Sequence, residues 1–249
     1  YHTKKCILFN IIIRYYNDGV NMDIGEIVMI LLLNGSPRKH GTTAIILEYI
    51  SEQLEKQGLK TNVIHVSDLK LQYCIGCCKC YETGRCIYTD DIEHLSSEIE
   101  KADGIIIGTP TYASNISGQL KTVIDRGHFV IEQLLHKKYA MSVVTYENYG
   151  GKDASKILNR LLLYSGAVIS DSLIIKNTFS DDPMKSRKIR DRINDGIQRF
   201  YIDLSKKKRH QYQHIKHFVI FRFGILPFVK KKGMAYSGVI DTWKRIGLD

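Results

Sequence analysis

Five of the six cysteines in this 249-residue chain fall in one short stretch, Cys74-Ile-Gly-Cys77-Cys78-Lys-Cys80-Tyr-Glu-Thr-Gly-Arg-Cys86. Cys74, Cys77, Cys80 and Cys86 keep the spacing C-x2-C-x2-C-x5-C, and Cys78 is an extra thiol that leaves room for another ligand set. Four thiolates within thirteen residues can converge only on something small, because so short a loop must wrap its ligand. A cubane iron–sulfur cluster fits so compact a run. Zinc comes second, since it ordinarily takes two CxxC pairs set farther apart. A redox-active CxxC pair explains two of the cysteines, and reduced thiols packing a loop would need no ligand at all.

A second constellation is Asn34-Gly35-Ser36-Pro37-Arg38-Lys39-His40-Gly41-Thr42-Thr43. The hydroxyls of Ser36, Thr42 and Thr43, the amides of a starting helix and the cation of Arg38 are what a phosphate monoester needs. The stretch is neither GxGxxG nor a GK[ST] loop, so classical dinucleotide and ATP sites are not supported. The plain alternative is a helix capped by Thr42 or Thr43, with Arg38, Lys39 and His40 in solvent. A third stretch, Gly108-Thr109-Pro110-Thr111-Tyr112-Ala113-Ser114-Asn115-Ile116-Ser117-Gly118-Gln119-Leu120-Lys121, leads into Ile124-Asp125-Arg126. It offers backbone donors and an aromatic wall to a flat heteroaromatic ring, although Tyr112 taken alone reads as a surface aromatic. Gly150-Gly151, at the end of Tyr146–Gly151, would let backbone approach such a ring. No HExxH, metal-type Cys/His pairing or GxSxG elbow occurs, so nothing suggests hydrolysis and no side-chain acid or base is named.

The elements that must position these loops alternate. Apolar runs at 27–33, 61–66, 104–109, 139–146 and 167–176 read as strands, and 44–56, 92–101, 117–135, 153–164 and about 182–207 read as helices. Strands alternating with helices mean right-handed βαβ units and a doubly wound parallel sheet. Five strands in this length suit the order 2-1-3-4-5, with ligand loops at the carboxyl ends of the strands. The fold class expected is therefore α/β, flavodoxin-like, with helices on both faces.

With 44% hydrophobic residues the chain can bury a core, and no apolar run approaches the roughly 18 residues of a membrane span. The cysteines are too clustered for a disulfide scaffold, which points to a reducing compartment and a cytoplasmic protein. The formal charge of +10 lies almost wholly in 206–249, where eleven Lys/Arg face two Asp. The expected organisation is an extension outside the fold over 1–25, a ligand-binding domain over 26–205, and a basic, aromatic C-terminal arm over 206–249. Basic-aromatic segments suit lipid and nucleic acid surfaces. The expectation here is instead that Phe218–Phe228 packs on the chain's own core or a partner subunit, with the lysines solvated and no nucleic acid bound.

The stretches GSPRKHGTT and GTPTYASNISGQLKTVIDR, in that order and spacing, resemble the NAD(P)H-dependent FMN reductase and iron–sulfur flavoprotein branch of the flavodoxin-like superfamily, over about residues 27–205. The resemblance implies an FMN oxidoreductase exchanging electrons between NAD(P)H and a small-molecule or protein acceptor. It implies that Ser36, Arg38 and Thr43, assisted by Thr42, hold the FMN phosphate. Pro110, Thr111, Tyr112 and Asn115 would line the flavin. Gly150 and Gly151 match a glycine pair there, while Tyr146–Asn148 departs from the smaller residues common in that loop. It further implies a [4Fe-4S] cluster on Cys74, Cys77, Cys80 and Cys86, and a homodimer with the flavin near the interface. Asp241-Thr242-Trp243-Lys244-Arg245-Ile246-Gly247 resembles the D-x-W-K-x-x-G ending of some clostridial-type members. The competing readings are a one-electron carrier without NAD(P)H turnover and a non-catalytic module whose tail finds a surface.

Overall fold

The computed structural model describes residues 28–248; the expected extension, Cys6 and Ile27 lie outside them. Five strands, β1 (Met29–Asn34), β2 (Lys60–His65), β3 (Gly104–Pro110), β4 (Tyr139–Tyr146) and β5 (Val168–Lys176), pair in parallel in the order β2-β1-β3-β4-β5. The central strands are buried on both faces because helices cover both. Ile30, Leu32, Ile106, Met141 and Val143 pack under α1 (Thr42–Glu55) and α7 (Arg187–Ser205). Leu31, Leu33, Ile105, Ile107, Ala140 and Val144 pack under α3 (Ile92–Lys101), α4 (Gly118–Arg126) and α6 (Gly151–Tyr164). The alternation along each strand thus divides one sheet between two cores.

The helix expected over 117–135 is broken. α4 ends at Arg126, and a one-turn α5 (Phe129–Glu132) follows between two left-handed residues, His128 at φ 48° and Gln133 at φ 58°. Tertiary contacts outweigh helix propensity here. A Cβ on Gly127 would lie 2.4 Å from the Phe129 ring, and buried Gln133 turns to donate to Tyr164 O at 2.8 Å. The cysteine stretch also forms a short helix, α2 (Lys79–Thr83), entered through left-handed Cys78 and left through left-handed Gly84.

The C-terminal arm is helical. α8 (Gln211–Ile220) runs through a π-helical turn, Phe221–Ile225, into α9 (Leu226–Lys232), and α10 (Ser237–Arg245) closes the arm. Its core joins Phe221, Ile225, Val229, Tyr236, Val239 and Trp243 to Tyr81, Val130 and Ile131 of the sheet domain. Gln213 donates to Ile169 O and accepts from Ile169 N, both at 2.8 Å. That side chain takes the place of a neighbouring strand along part of the β5 edge, where bare main-chain groups would otherwise invite pairing with another chain.

Candidate functional site

Asn34, buried at the end of β1, organises the loop that follows. Its Oδ1 accepts from the Ser36 amide at 3.0 Å, so its Nδ2 is the donor to His65 Nδ1 at 2.9 Å and the His65 proton sits on Nε2. Ser36 Oγ accepts from the Arg38 amide at 3.1 Å. That bond leaves the hydroxyl proton of Ser36 to give. Asn177 Nδ2 donates to Thr42 Oγ1 at 3.3 Å, with the same consequence for Thr42. Thr43 Oγ1 lies 2.7 Å from Thr145 Oγ1 across the sheet.

Gly41, not Thr42 or Thr43, occupies the N-cap of α1, and it has no side chain to cap the first turn. The amides of that turn have no partner one turn back, so the positive end of a fourteen-residue helix opens between Ser36, Thr42 and Thr43. Arg38 stands over the Phe179 ring, 5.7 Å from its centroid, while Lys39 pairs with Asp68 and is turned away. Ser36, Arg38, Gly41, Thr42, Thr43, Pro110, Tyr112, Thr145 and Phe179 line one cleft. Sequence reading missed Gly41, Thr145 and Phe179; only the position of Phe179 just beyond β5, at the ligand end of the sheet, could have signalled it.

The second loop is held against the first. Ser117 caps α4, accepting from the Leu120 amide at 3.1 Å and donating to Gly35 O. The Gly35 amide donates to Gly108 O at 2.8 Å, and a Cβ on Gly35 would lie 2.8 Å from Leu120, so only glycine passes there. Tyr112 and Asn115 bracket a tight turn, with the Asn115 amide donating to Tyr112 O at 2.9 Å. Its central residues, Ala113 (φ 48°) and Ser114 (φ 61°), are both left-handed without being glycine. That conformation costs about 1 kcal/mol or more per residue. Thr111 Oγ1 is buried and has no hydrogen-bond partner among the described residues.

Gly150 and Gly151 do not line the cleft. A Cβ on Gly150 would lie 2.6 Å from Ser114 Cα, and one on Gly151 2.5 Å from the Tyr146 ring. Gly150 is small so that the third loop can close on the second, and Gly151 so that Tyr146 of its own loop can lie against it. Asn115 is exposed beside the turn, its Oδ1 taken by the Ile116 amide at 2.8 Å.

Both ends of the cysteine stretch converge on buried Arg126. Its Nη1 and Nη2 donate to the two oxygens of Asp90 at 2.9 Å each, and Nη1 also reaches Gln72 O. Asp90 accepts from the Gln72 amide at 2.9 Å. Burial pushes its carboxyl up, but the Arg126 bonds and the Gln72 and Ile92 amides outweigh that and hold it below the usual carboxylate range. Cations stand beside the thiols: Arg126 by Cys86, His128 by Cys80, and Lys79 near Cys77. For His128 burial acts downward, but Cys80 and Glu132 overcome it and push the imidazole up to about 10. The Gly76 amide donates to Cys74 Sγ at 3.4 Å. In kind and number these donors suit a thiolate-bound cluster, yet among the described residues no three Cys, His, Asp or Glu side chains gather as metal ligands.

With these loops at the carboxyl ends of a 2-1-3-4-5 sheet, residues 28–179 match the family described as NADPH-dependent FMN reductase. The chain belongs to that family. It is 34% identical over 225 residues to an iron–sulfur flavoprotein of Clostridioides difficile, covering 89% of this chain and all of that one. It is 35% identical to an iron–sulfur flavoprotein of Archaeoglobus fulgidus over 54% of this chain and 62% of that one. Among solved structures, an apo NADH:FMN oxidoreductase (EmoB) superposes with a TM-score of 0.54 at 21% identity, over 75% of this chain and 94% of that one. The flavoenzyme FerB of Paracoccus denitrificans superposes with a TM-score of 0.51 at 17% identity, over 70% and 98%. These structural likenesses show the fold alone.

Proposed function

We propose that this member of the FMN reductase family binds FMN in the cleft between the β1, β3 and β5 loops and passes electrons from NAD(P)H to an acceptor. The observation that carries the reading is the convergence of an uncapped helix terminus, Arg38 and two hydroxyls with protons to give, beside Pro110 and Tyr112. Ser36, Thr42, Thr43 and Arg38 would hold the phosphate, charge-assisted at Arg38. Pro110, Thr111 and Tyr112 would face the ring, with Asn115, Gly150 and Gly151 shaping the loops around it. FMN, when bound, supplies hydride and single-electron chemistry; the protein contributes position and field.

The reading extends to a [4Fe-4S] cluster, a one-electron centre, on Cys74, Cys77, Cys80 and Cys86. The support is the donor set, the three cations beside it and the names of the iron–sulfur flavoproteins of C. difficile and A. fulgidus. The reading includes a homodimer, and exposed Tyr73 and Ile75 beside Cys74 are apolar side chains that a second copy would cover.

The test is the absorption spectrum of anaerobically purified protein before and after dithionite, followed by NADH and NADPH oxidation with an artificial acceptor. Flavin bands with a broad bleachable shoulder, iron and labile sulfide are expected. Flavin bands alone would remove the cluster from the reading. Failure to bind added FMN would overturn it.

A further inference from the structure

The helical run from Gln211 to Lys232 is apolar on two opposite faces. Phe218, Phe221, Ile225 and Val229 are buried, the last three in the core that the arm shares with the sheet domain. Opposite them, Tyr212, Ile215, Val219 and Phe223 recur at helical spacing and are 77%, 49%, 48% and 65% exposed. An apolar helix face is ordinarily buried, and here one of the two stays open. Rotation cannot hide it, because Gln213, between the two faces, is bound to both main-chain groups of Ile169 on the β5 edge.

Charge narrows what could cover that face. Residues 206–240 hold nine Lys/Arg and no Asp or Glu. Lys208 pairs with Asp203, but Lys216, Arg222 and Lys230–Lys232 have no acidic partner among the described residues, and Lys232 stands over the Phe228 ring at 5.5 Å. A second copy seated on this stripe by a two-fold axis would set Lys216 and Arg222 against their own counterparts. A nucleic acid would answer the charge but offers nothing in which to bury Ile215 and Val219. An anionic lipid surface answers both, with headgroups for the cations and the acyl boundary for the side chains between them. No described helix is long and apolar enough to cross a membrane, so the segment would lie on the surface. We propose that the outer face of residues 211–232 docks on anionic lipid bilayers. The inference is independent of the FMN reading.

The test is co-sedimentation of the full chain with vesicles of phosphatidylcholine alone, or of phosphatidylcholine and phosphatidylglycerol in equal parts, at 50 and 500 mM NaCl. Binding to the anionic vesicles only is expected, weakened at least tenfold by the higher salt. The triple variant Ile215→Ser, Val219→Ser, Phe223→Ser keeps every charge and is expected to lose at least tenfold in affinity. Lys216→Gln with Arg222→Gln should lose a comparable factor by removing charge alone. Far-UV circular dichroism and the emission of buried Trp243 check that each variant is folded. The proposal is overturned if the wild type binds neither vesicle, or if the triple variant binds as well as wild type, which would leave only charge adhesion. It is equally overturned if sedimentation equilibrium shows a wild-type oligomer that the triple variant cannot form, since a second copy would then be the occupant.

Discussion

Arg126 is the largest charged side chain in the core, only 2% exposed, and its partners lie on both flanks of the cysteine stretch. By reaching Gln72 O on one side and both oxygens of Asp90 on the other, one guanidinium fastens the two ends of a loop of about seventeen residues. The pair is buried, so removing one partner strands an uncompensated charge. That costs about 3–5 kcal/mol, more than the pair contributes relative to two apolar residues. Arg126→Met is expected to destabilise the fold by this amount, and Asp90→Leu comparably. The double variant should cost clearly less than their sum, as measured by urea denaturation in a double-mutant cycle. Additive costs would show that the two groups act independently. Arg126 stands in plain view at the end of the stretch that runs from Gly108, but its partner is thirty-six residues away. Sequence spacing reveals neighbours on one helix or strand, not a pair joined only by the fold. Phe179 was hidden for the same reason, since its place beside Arg38 depends on the segment after β5 reaching past β4 and β3 to the β1 loop.

The elements most legible in the sequence were those whose pattern is dictated by burial on one or both faces: β1, β3 and β4, and the helices α1, α3 and α6. The least legible were decided by contacts from elsewhere, as in the break between α4 and α5 and the short α2. The arm explains α2. Gly238 in α10 sits so close to Gly84 that a Cβ there would lie 2.2 Å from the Gly84 amide nitrogen. Ser237 Oγ donates to Glu82 O at 2.9 Å, Tyr236 stacks on Tyr81 at 4.7 Å, and Trp243 Nε1 donates to Ile131 O at 2.9 Å. α10 thus clamps the turn that carries Cys80. Gly238→Val must push α10 away from α2, because backbone atoms cannot yield as a flexible side chain would. The expected outcome is a red-shifted Trp243 emission and at least tenfold faster labelling of the half-buried Cys80 and Cys86 by a thiol reagent in metal-free protein. Ser237→Ala, which removes one hydrogen bond and no volume conflict, should cost about 1 kcal/mol and leave the labelling rate within a few-fold. Unchanged labelling in the Gly238 variant would show that the cysteine turn keeps its shape without the arm.

At the scale of the whole molecule, the order of the sheet followed from the alternation of strands and helices, whereas the docking of the arm depends on side chains with no sequence period. Three of these are histidines facing one another where α8 meets the sheet domain. His217 Nε2 donates to Gln133 Oε1 at 2.6 Å and its ring lies 6.0 Å from His136, with His214 and Lys137 as further neighbours. Burial, reinforced by the neighbouring positive charges, pushes His136 down to about 3 and His217 to about 4, and lowers His214 as well. In the unfolded chain the same groups protonate near 6.5. Below that pH the unfolded state therefore binds more protons than the folded one, and stability falls with pH. Each of the two strongly shifted histidines can withdraw up to about 1.4 kcal/mol per pH unit across its own window. The stability that depends on keeping these two histidines neutral is thus fully present above about pH 6.5 and is lost as pH drops toward 4. This interval lies above the range in which the depressed carboxylates of Asp90 and Asp171 take up protons, so the histidines can be told apart from ordinary acid denaturation. Trp243 belongs to the same arm core as Phe221, which stacks on His217 at 6.1 Å, and its emission reports release of the arm. The midpoint of urea unfolding followed by that emission is expected to fall steadily between pH 6.5 and 4.5. His217→Gln, which cannot charge and can still donate to Gln133, should flatten the slope; an unaltered slope would assign the acid sensitivity to other groups.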